Sequence, residues 1–275
     1  MKNIVTEHYD SIYDFLKVSK RRSNNNTMRG LTSSENTDSH NWYGTSSYKE
    51  AEKIFANGYT DVLQQVLDGV AQSEKINAEL SNVPKIIPKN SIVGYVPNVP
   101  NAIIGIPESM INTSRVVNKV KTINVLYSST VNGGVECDTI IKAGIAFLTA
   151  VKIIEKGGIF VNLDCSGLIT TTSKEVAMAT IKLKSFHERL DIQKLCFPLI
   201  HPSMERRFGF KWLETVPNLT DTKFRDGYGR SIDDPAQIIT AFKMRPEVRV
   251  INVQWIQAHN FDVNAIIKYL KNGFK

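Results

Sequence analysis

The clearest pattern in the chain is a short apolar run, a polar segment with two glycines and a long amphipathic stretch, within residues 121–157. The apolar run at 123–127 is typical of a buried strand. In residues 138–156, apolar positions recur every three or four residues with lysines between them, which predicts a helix ended by Gly157 and Gly158. We therefore predict the strand, loop and helix that open an α/β domain.

Strands and helices continue to alternate toward the end of the chain. We predict strands at 159–164, 176–184 and 248–256, a wide hairpin at 165–174, and helices at 190–197, 202–215, 233–242 and 263–271. Lys182 and Lys184 alternate with apolar residues, which indicates an exposed face or an edge strand. This order predicts an α/β fold with a mostly parallel sheet flanked by helices.

The first 80 residues are predicted to form a small α-helical region. Apolar positions favour a docking helix at 7–18 and helices at 48–56 and 60–76. Between them, residues 20–41 are rich in Ser, Asn and Thr and nearly free of large apolar side chains. That composition is typical of a flexible loop.

Prolines punctuate residues 81–120, an apolar stretch that cannot form a regular helix. We expect a Pro-rich extended connector that is largely buried and packed on the sheet. The alternative is a segment that lines a groove. The predicted divisions are therefore a helical region at 1–80, a connector at 81–120 and an α/β domain at 121–275.

The charge of the chain is unevenly distributed. The 275 residues carry a net charge of +7. Residues 1–120 contain 13 basic and 12 acidic residues, whereas residues 121–275 contain 21 and 15, so an excess of +6 lies in the predicted α/β domain. A basic surface attracts nucleic acid or acidic protein. Because acids are interleaved with the cations, an ordinary mixed-charge surface is the alternative.

Other features of composition bear on the compartment. The sequence has no apolar run of 18 residues and no apolar stretch at its start, which predicts a cytosolic protein without a membrane segment. Cys137, Cys165 and Cys196 are widely spaced, so we expect three reduced thiols rather than disulfides or a zinc site. We predict no cofactor and no metal.

The loop after the first strand of the α/β domain is a candidate anion site. Ligands of such sheets bind beyond the carboxyl ends of the strands, and amides at a helix N-terminus attract anions. The loop lacks the Gly-Lys-Ser/Thr of a phosphate-binding loop and the GxGxxG fingerprint, so a polar turn is the alternative. Asp164, at the end of the next strand, is a further candidate, or a turn or capping residue. The candidates in the loop are Ser128, Ser129, Thr130, Asn132, Gly133 and Gly134.

Cationic side chains provide a second set of candidates, for binding a macromolecule. Arg206 and Arg207 lie in a predicted helix, and guanidinium groups suit phosphate or carboxylate. Arg225, Tyr228 and Arg230 lie in the sequence FRDGYGRS. Such a segment can hold single-stranded nucleic acid by charge and stacking, and an ordinary surface loop is the alternative.

His201 comes just before the predicted helix that carries the paired arginines. A histidine acts as a general base only with a positioned nucleophile and acid, and the sequence identifies neither. We expect a structural or capping role for His201 and predict no catalytic residue.

The hydroxyl-rich loop, the long helix, the next strand and the hairpin strand resemble the von Willebrand factor A fold, a Rossmann-like arrangement, over residues 121–275. That family carries a metal site built on Asp-x-Ser-x-Ser in this loop, completed by a distant Thr and Asp. The hydroxyls here are Ser128 and Thr130, or Ser129 alone, and Leu126 or Tyr127 stands in place of the Asp. Because a hard divalent cation needs anionic ligands, the resemblance implies a degenerate site without Mg²⁺.

Several stretches also resemble uncharacterised bacteriophage proteins. They are WYGTSSYKEA, GYVPNVPNAIIGIPESM, the apolar strand and helix that end in EKGG, and HPSMERRFGFKWLE. The resemblance implies a viral protein in the host cytoplasm or associated with the virion, and it implies no activity.

Two functions follow as expectations. The first is a non-enzymatic phage protein that binds a macromolecule, either a protein in an assembly, including a homo-oligomer, or nucleic acid. It rests on the missing carboxylate, the basic second half and the lack of a catalytic set. The second is a hydrolase or nucleotide-processing enzyme that uses the loop 128–134 with Asp164 and His201.

Overall fold

A computed structural model describes residues 2–21, 40–76, 86–115, 121–219, 224 and 227–272. Its strands are β1 (Asn3–Tyr9), β2 (Ile86–Ser91), β3 (Val96–Pro97), β4 (Met110–Arg115), β5 (Lys121–Ser128), β6 (Ile159–Thr171), β7 (Glu175–Lys184) and β8 (Val248–Asn252). Its helices are α1 (Ile12–Leu16), α2 (His40–Tyr43), α3 (Tyr48–Asn57), α4 (Leu63–Ile76), α5 (Val99–Ile103), α6 (Cys137–Lys156), α7 (Ile192–Ile200), α8 (Phe210–Thr215), α9 (Pro235–Ala241), α10 (Val253–Ala258) and α11 (Val263–Lys271). A 3₁₀ turn covers Lys17–Lys20, and a π-helix covers Met204–Gly209.

Five strands form the principal sheet, in the order β1-β7-β6-β5-β8. Neighbouring strands are parallel except β6 and β7, which form an antiparallel hairpin. The expected mixed α/β architecture, with a mostly parallel sheet flanked by helices, is therefore confirmed.

The main core lies on one face of this sheet. Helix α6 packs on that face and is in contact with α4, α7, α10 and α11. The face of α6 that meets the sheet is apolar, and Phe147 stacks on Tyr127 of β5 with ring centroids 4.4 Å apart. A smaller cluster on the opposite face joins Leu126, Ile169 and Val250 to α9. Burial of both faces explains why β5 is a nearly continuous apolar run.

The elements with strong periodicity lie where the sequence places them. The predicted strand at 123–127 is β5, the predicted helix at 138–156 is α6, and the predicted closing helix is α11. Asp234 and Asp262 cap α9 and α11 by accepting hydrogen bonds from backbone N–H groups. Such caps explain why these boundaries are readable from sequence.

The predicted helix at 7–18 is wrong in its first part. Residues 3–9 form β1, which pairs in parallel with β7, so the first residues belong to the principal sheet. Glu7 accepts hydrogen bonds from the side chains of Tyr9 and Trp212 and is paired with Arg21 at 2.8 Å. These tertiary contacts outweigh the local helical pattern. Of the predicted flexible loop at 20–41, residues 22–39 lie outside the described residues.

The hairpin also differs from the prediction. Strand β6 continues to Thr171, so the wide loop expected at 165–174 is a tight turn, and two register shifts interrupt the pairing. Strand β7 is not an edge strand, because β1 pairs with it over residues 175–181. Lys182 lies beyond this pairing and is exposed, as the alternative of an exposed face predicts. Lys184 is 3% exposed and forms an ion pair with Glu155 at 2.7 Å, which explains a lysine in an interior position.

Two further elements differ from the prediction, one in where it ends and one in its continuity. The strand expected at 248–256 stops at Asn252, whose side chain accepts a hydrogen bond from the N–H of Trp255 and caps α10. The helix expected at 202–215 is divided into the π-helix and α8. A π-helix often accompanies a functional site, and this one faces the cleft described below.

The Pro-rich connector is not packed on the principal sheet as predicted. Strands β2, β4 and β3 form a separate antiparallel sheet in that order, with α5 between β3 and β4. Between residues 92 and 106, large apolar side chains lie in solvent, for example Ile103 at 80% exposure and Tyr95 at 74%. The apolar sequence of the segment does not indicate whether another part of the chain covers it.

Cys165 and Cys196 are buried free thiols, and Cys137 is a partly exposed one. None of the helices within the described ranges is long and apolar enough to cross a membrane.

Candidate functional site

A cleft of about 680 Å³ lies beyond the carboxyl end of β5. Its walls are the loop 130–133, the part of β6 at 168–170, the segment 227–233, and side chains from α2, the π-helix and α8. Strand β5 is followed by α6 and pairs with β6 on one side and β8 on the other. The order of strands in the sheet therefore reverses direction at β5, and ligands of open α/β sheets bind at such a switch point.

The loop after β5 is anchored by side chains. The Thr130 hydroxyl accepts a hydrogen bond from the N–H of Ile169 at 2.8 Å. The N–H of Val131 lies 3.2 and 3.3 Å from the two carboxyl oxygens of Glu205. The loop is thus tied to β6 on one side and to the π-helix on the other, which leaves Asn132 and Gly133 exposed at the cleft.

Glu205 is a buried carboxyl group beside the cleft, with 4% of its surface exposed. Burial raises its pKa to about 8, although Arg206 and the Val131 N–H favour the charged form. Near neutral pH this side chain is therefore largely a neutral acid. It can donate a proton or a hydrogen bond as well as accept one.

Arg206 joins three walls of the cleft. Its guanidinium lies 4.4 Å from the ring centre of Trp42 and donates to the carbonyl oxygens of Trp42 and Val135 at 2.5 Å each. Its Nε atom is buried and has no hydrogen-bond partner within the described part of the chain. The positive charge of Arg206 is thus held at the back of the cleft by rigid backbone groups.

Arg207 points elsewhere and has a structural role. Its guanidinium lies over the ring of Tyr43 at 4.3 Å and donates to the hydroxyl and carbonyl oxygens of Thr45 at 2.7 Å. The two adjacent arginines therefore hold the adjacent aromatic residues Trp42 and Tyr43 at the end of α2, but of the two arginines only Arg206 lines the cleft.

The segment 227–233 forms the outer wall. The backbone of Arg230 pairs with Thr171 at the end of β6, through two hydrogen bonds of 2.9 Å. Gly229 has a φ of +81°, and a Cβ there would lie 2.3 Å from the Thr170 hydroxyl oxygen, so the approach requires glycine. This pairing places the exposed Arg230 side chain at the mouth of the cleft.

Tyr228 takes part in packing as well as in the lining. Its ring stacks on Phe210 at a centroid distance of 4.0 Å, and its hydroxyl donates to Glu214 at 2.6 Å. Trp42 lies on the other side of Phe210, with ring centroids 5.9 Å apart. The cleft thus has an aromatic wall beside its cationic one.

Six of the predicted site residues meet in this cleft. They are Thr130, Asn132, Gly133, Arg206, Tyr228 and Arg230. Ser128 and Ser129 are buried beneath the loop, and the Ser128 hydroxyl accepts from that of Ser166 at 3.0 Å. Gly134 lines a neighbouring cavity at the N-terminus of α6. Arg225 lies outside the described residues.

Asp164 and His201 lie away from the cleft. Asp164 is partly buried, which raises its pKa, and Lys182 and His8 are the charges that act on it. His201 is buried and stacks on Phe197, its Nδ1 accepts from the N–H of Ser203 at 3.1 Å, and burial lowers its pKa to about 4. The structure does not bring these two side chains to the loop 128–134.

The cleft is also lined by Trp42, Glu205 and Phe210, which the sequence did not indicate as site residues. Glu205 and Phe210 lie within five residues of Arg206, so the stretch around the paired arginines carried a usable signal. Trp42 is far away in sequence, and only the tertiary fold reveals its place.

Among the described residues, no group of three His, Cys, Asp or Glu side chains is arranged to hold a metal ion. A family model described as a domain of unknown function, DUF7192, matches residues 1–269, and the chain therefore belongs to that family. Neither the curated proteins nor the solved structures contain a significant match to this chain.

Proposed function

We propose that this member of the DUF7192 family is a phage-encoded, non-enzymatic binding protein that holds an anionic group of a protein partner in the cleft beyond β5. The observation that carries the proposal is the convergence of Arg206 and Arg230 on one cleft with an aromatic wall. Guanidinium donors pair with carboxylates as well as with phosphates, so an anionic group of either kind matches their chemistry.

A degenerate von Willebrand A fold is part of the proposal. The strand order β7-β6-β5-β8, with β7 antiparallel and the hydroxyl loop directly after β5, supports it. Of the two residues that stand in place of the family's aspartate, Leu126 is packed in the smaller core with Ile169 and Val250, and Tyr127 is packed in the main core.

The cleft favours a protein partner over nucleic acid. Phosphate backbones are held by several exposed cations. Among the residues that the structure describes, Arg230 is the one exposed cation that lines this cleft, and Asp233 lies beside it. A single carboxylate or a short acidic segment matches this charge better than a polyanion does.

The enzyme alternative has one observation in its favour, the neutral carboxyl of Glu205 at the cleft. A carboxyl group with a raised pKa suits a general acid. The oxygens of Glu205, however, are engaged with the Val131 N–H, and Asp164 and His201 are remote from the cleft. The binding function is the better supported of the two.

Affinity capture from phage-infected cells tests the proposal. The bait is the wild-type protein, Arg230→Glu or Arg245→Glu, an exposed arginine that does not line the cleft. We expect wild type and Arg245→Glu to retain the same protein, and Arg230→Glu to lose most of it. Retention by all three baits, or capture of nucleic acid alone, would contradict the proposal.

A further inference from the structure

The segment formed by β2, β3, α5 and β4, residues 86–115, is called the apolar arm here. Eight of its large side chains are 39–80% exposed. They are Ile92, Val93, Tyr95, Val96, Val99, Ile103, Ile104 and Ile106. Apolar side chains scattered singly over a surface are normal, but eight of them between residues 92 and 106 are a concentration typical of an interaction site.

The apolar arm is an ordered structure, despite the exposure of its side chains. Asn98 caps α5, its N–H donates to the carbonyl of Ser109 at 2.7 Å, and its side chain bonds to that of Asn90. Gly94 lies so close to β4 that a Cβ there would be 2.3 Å from the Ile111 carbonyl oxygen. Backbone and asparagine contacts therefore shape the arm, and its apolar side chains remain available.

The edges of the small sheet argue against pairing with a partner strand. The outer strands are β2 and β3, and they contain Pro88 and Pro97. Proline lacks the N–H that a new strand would need, and β3 has only two residues. Contact through the apolar side chains is the mode of binding that remains.

We propose that the apolar arm is a self-association surface, on which the arms of two copies of this chain pack against each other. Residues 90–107 contain no Asp, Glu, Lys or Arg, while the chain as a whole carries +7. Two copies repel each other wherever their basic surfaces meet, so an uncharged patch is where they can approach. The same neutral patch on each copy satisfies a two-fold contact, in which each surface meets itself.

The apolar area exposed by the arm suits contact with a second copy of the chain. A standard interface takes about 800 Å² from each partner, an area to which eight large and mostly exposed side chains make a substantial contribution. Homodimer interfaces are also more apolar than those between partners that exist separately. The proposal does not rest on the cleft, because no residue of the apolar arm lines it.

Sedimentation equilibrium at micromolar concentrations tests the proposal. We expect a dimer for wild type, and a dissociation constant at least about 100-fold weaker for the double variant Ile103→Asp and Ile104→Asp. Leu67→Asp is the control, because Leu67 is an exposed apolar residue on α4 outside the arm, and it should remain dimeric. Circular dichroism checks folding, and the milder pair Ile103→Ser and Ile104→Ser replaces the charged pair if that fails to fold.

A wild-type protein that sediments as a monomer would overturn the proposal. So would a folded double variant with an unchanged dissociation constant. A monomer that binds phosphatidylcholine vesicles would show instead that the arm meets a lipid surface. Arg230→Glu should remain dimeric and the arm variant should keep the cleft intact, so failure of one proposal is distinguishable from failure of the other.

Discussion

The cleft and the apolar arm place their side chains in opposite ways. At the cleft, ionisable groups such as Glu205 and Arg206 are buried, and each is held by backbone atoms. In the arm, large apolar groups such as Ile103 and Tyr95 are exposed, and the contacts that hold the segment are polar. Burial of ionisable groups and exposure of large apolar groups are both unfavourable for folding, so the fold alone does not account for either region. This contrast is the basis for the two binding surfaces that we propose, one selective for charge and one for apolar area.

The contrast can be tested first at the base of the cleft, where we expect the largest effect. Gly209 ends the π-helix, and a Cβ there would lie 2.2 Å from the Gly167 carbonyl oxygen on β6. We expect Gly209→Ala to lower the free energy of unfolding by about 3 kcal/mol, because the helix can no longer dock. Gly134→Ala, whose Cβ meets open space, should change it by less than about 0.5 kcal/mol. Urea denaturation measures both, and equal effects would refute this account of the docking.

A second test separates the adjacent arginines. Arg207→Met should lower the free energy of unfolding by about 2 kcal/mol, because it leaves the Thr45 carbonyl without its charged donor and removes the contact with Tyr43. The contacts of Arg206 and the cleft should be unchanged. Thermal unfolding followed by circular dichroism provides the measurement. A variant as stable as wild type would show that Arg207 does not hold the segment after α2.

The third test uses pH. The folded-state pKa of Glu205 is raised to about 8 from 4.5, so the neutral form stabilises the fold fully below about pH 4.5, and this stabilisation is lost as pH rises through 8. We expect Glu205→Gln to remove this decline, so that the variant is more stable than wild type at pH 9, by at least about 2 kcal/mol, and matches it near pH 5. Parallel curves for the two proteins across this range would contradict the burial of an acid.

The smallest expected effect on stability is in the apolar arm. Ile103→Ser with Ile104→Ser should change the free energy of unfolding of the monomer by less than about 0.5 kcal/mol, because both side chains already lie in solvent. Urea denaturation at low protein concentration isolates the monomer. A loss of several kcal/mol would show that these side chains are covered within the chain, and the contrast with the cleft would disappear.

The sequence predicted best those elements that depend on local periodicity and caps. The long stripe of α6 and the aspartates that cap α9 and α11 are readable because neighbouring residues determine them. The strand β1 was missed because its partner, β7, is more than 160 residues away. The exposure of the apolar arm was missed because an apolar sequence does not reveal its covering surface.

The cleft was predictable in part, because some of its residues are recognisable from local sequence alone. The polar loop and the arginines carry chemistry that is recognisable in isolation, and the switch point of the sheet brings Thr130, Arg206 and Arg230 together. The separation of Arg206 from Arg207 was not predictable, because it depends on the π-helix and on the aromatic pair Trp42 and Tyr43.

An NMR titration with an acetylated tetraglutamate peptide tests the central claim, that the cleft binds an anionic group of a protein, most directly. We predict salt-sensitive shifts of the backbone amides of Asn132, Gly133, Gly229 and Arg230, which are absent in Arg230→Glu and weaker with inorganic phosphate. Shifts spread over lysines elsewhere on the surface, or identical shifts in Arg230→Glu, would contradict the claim.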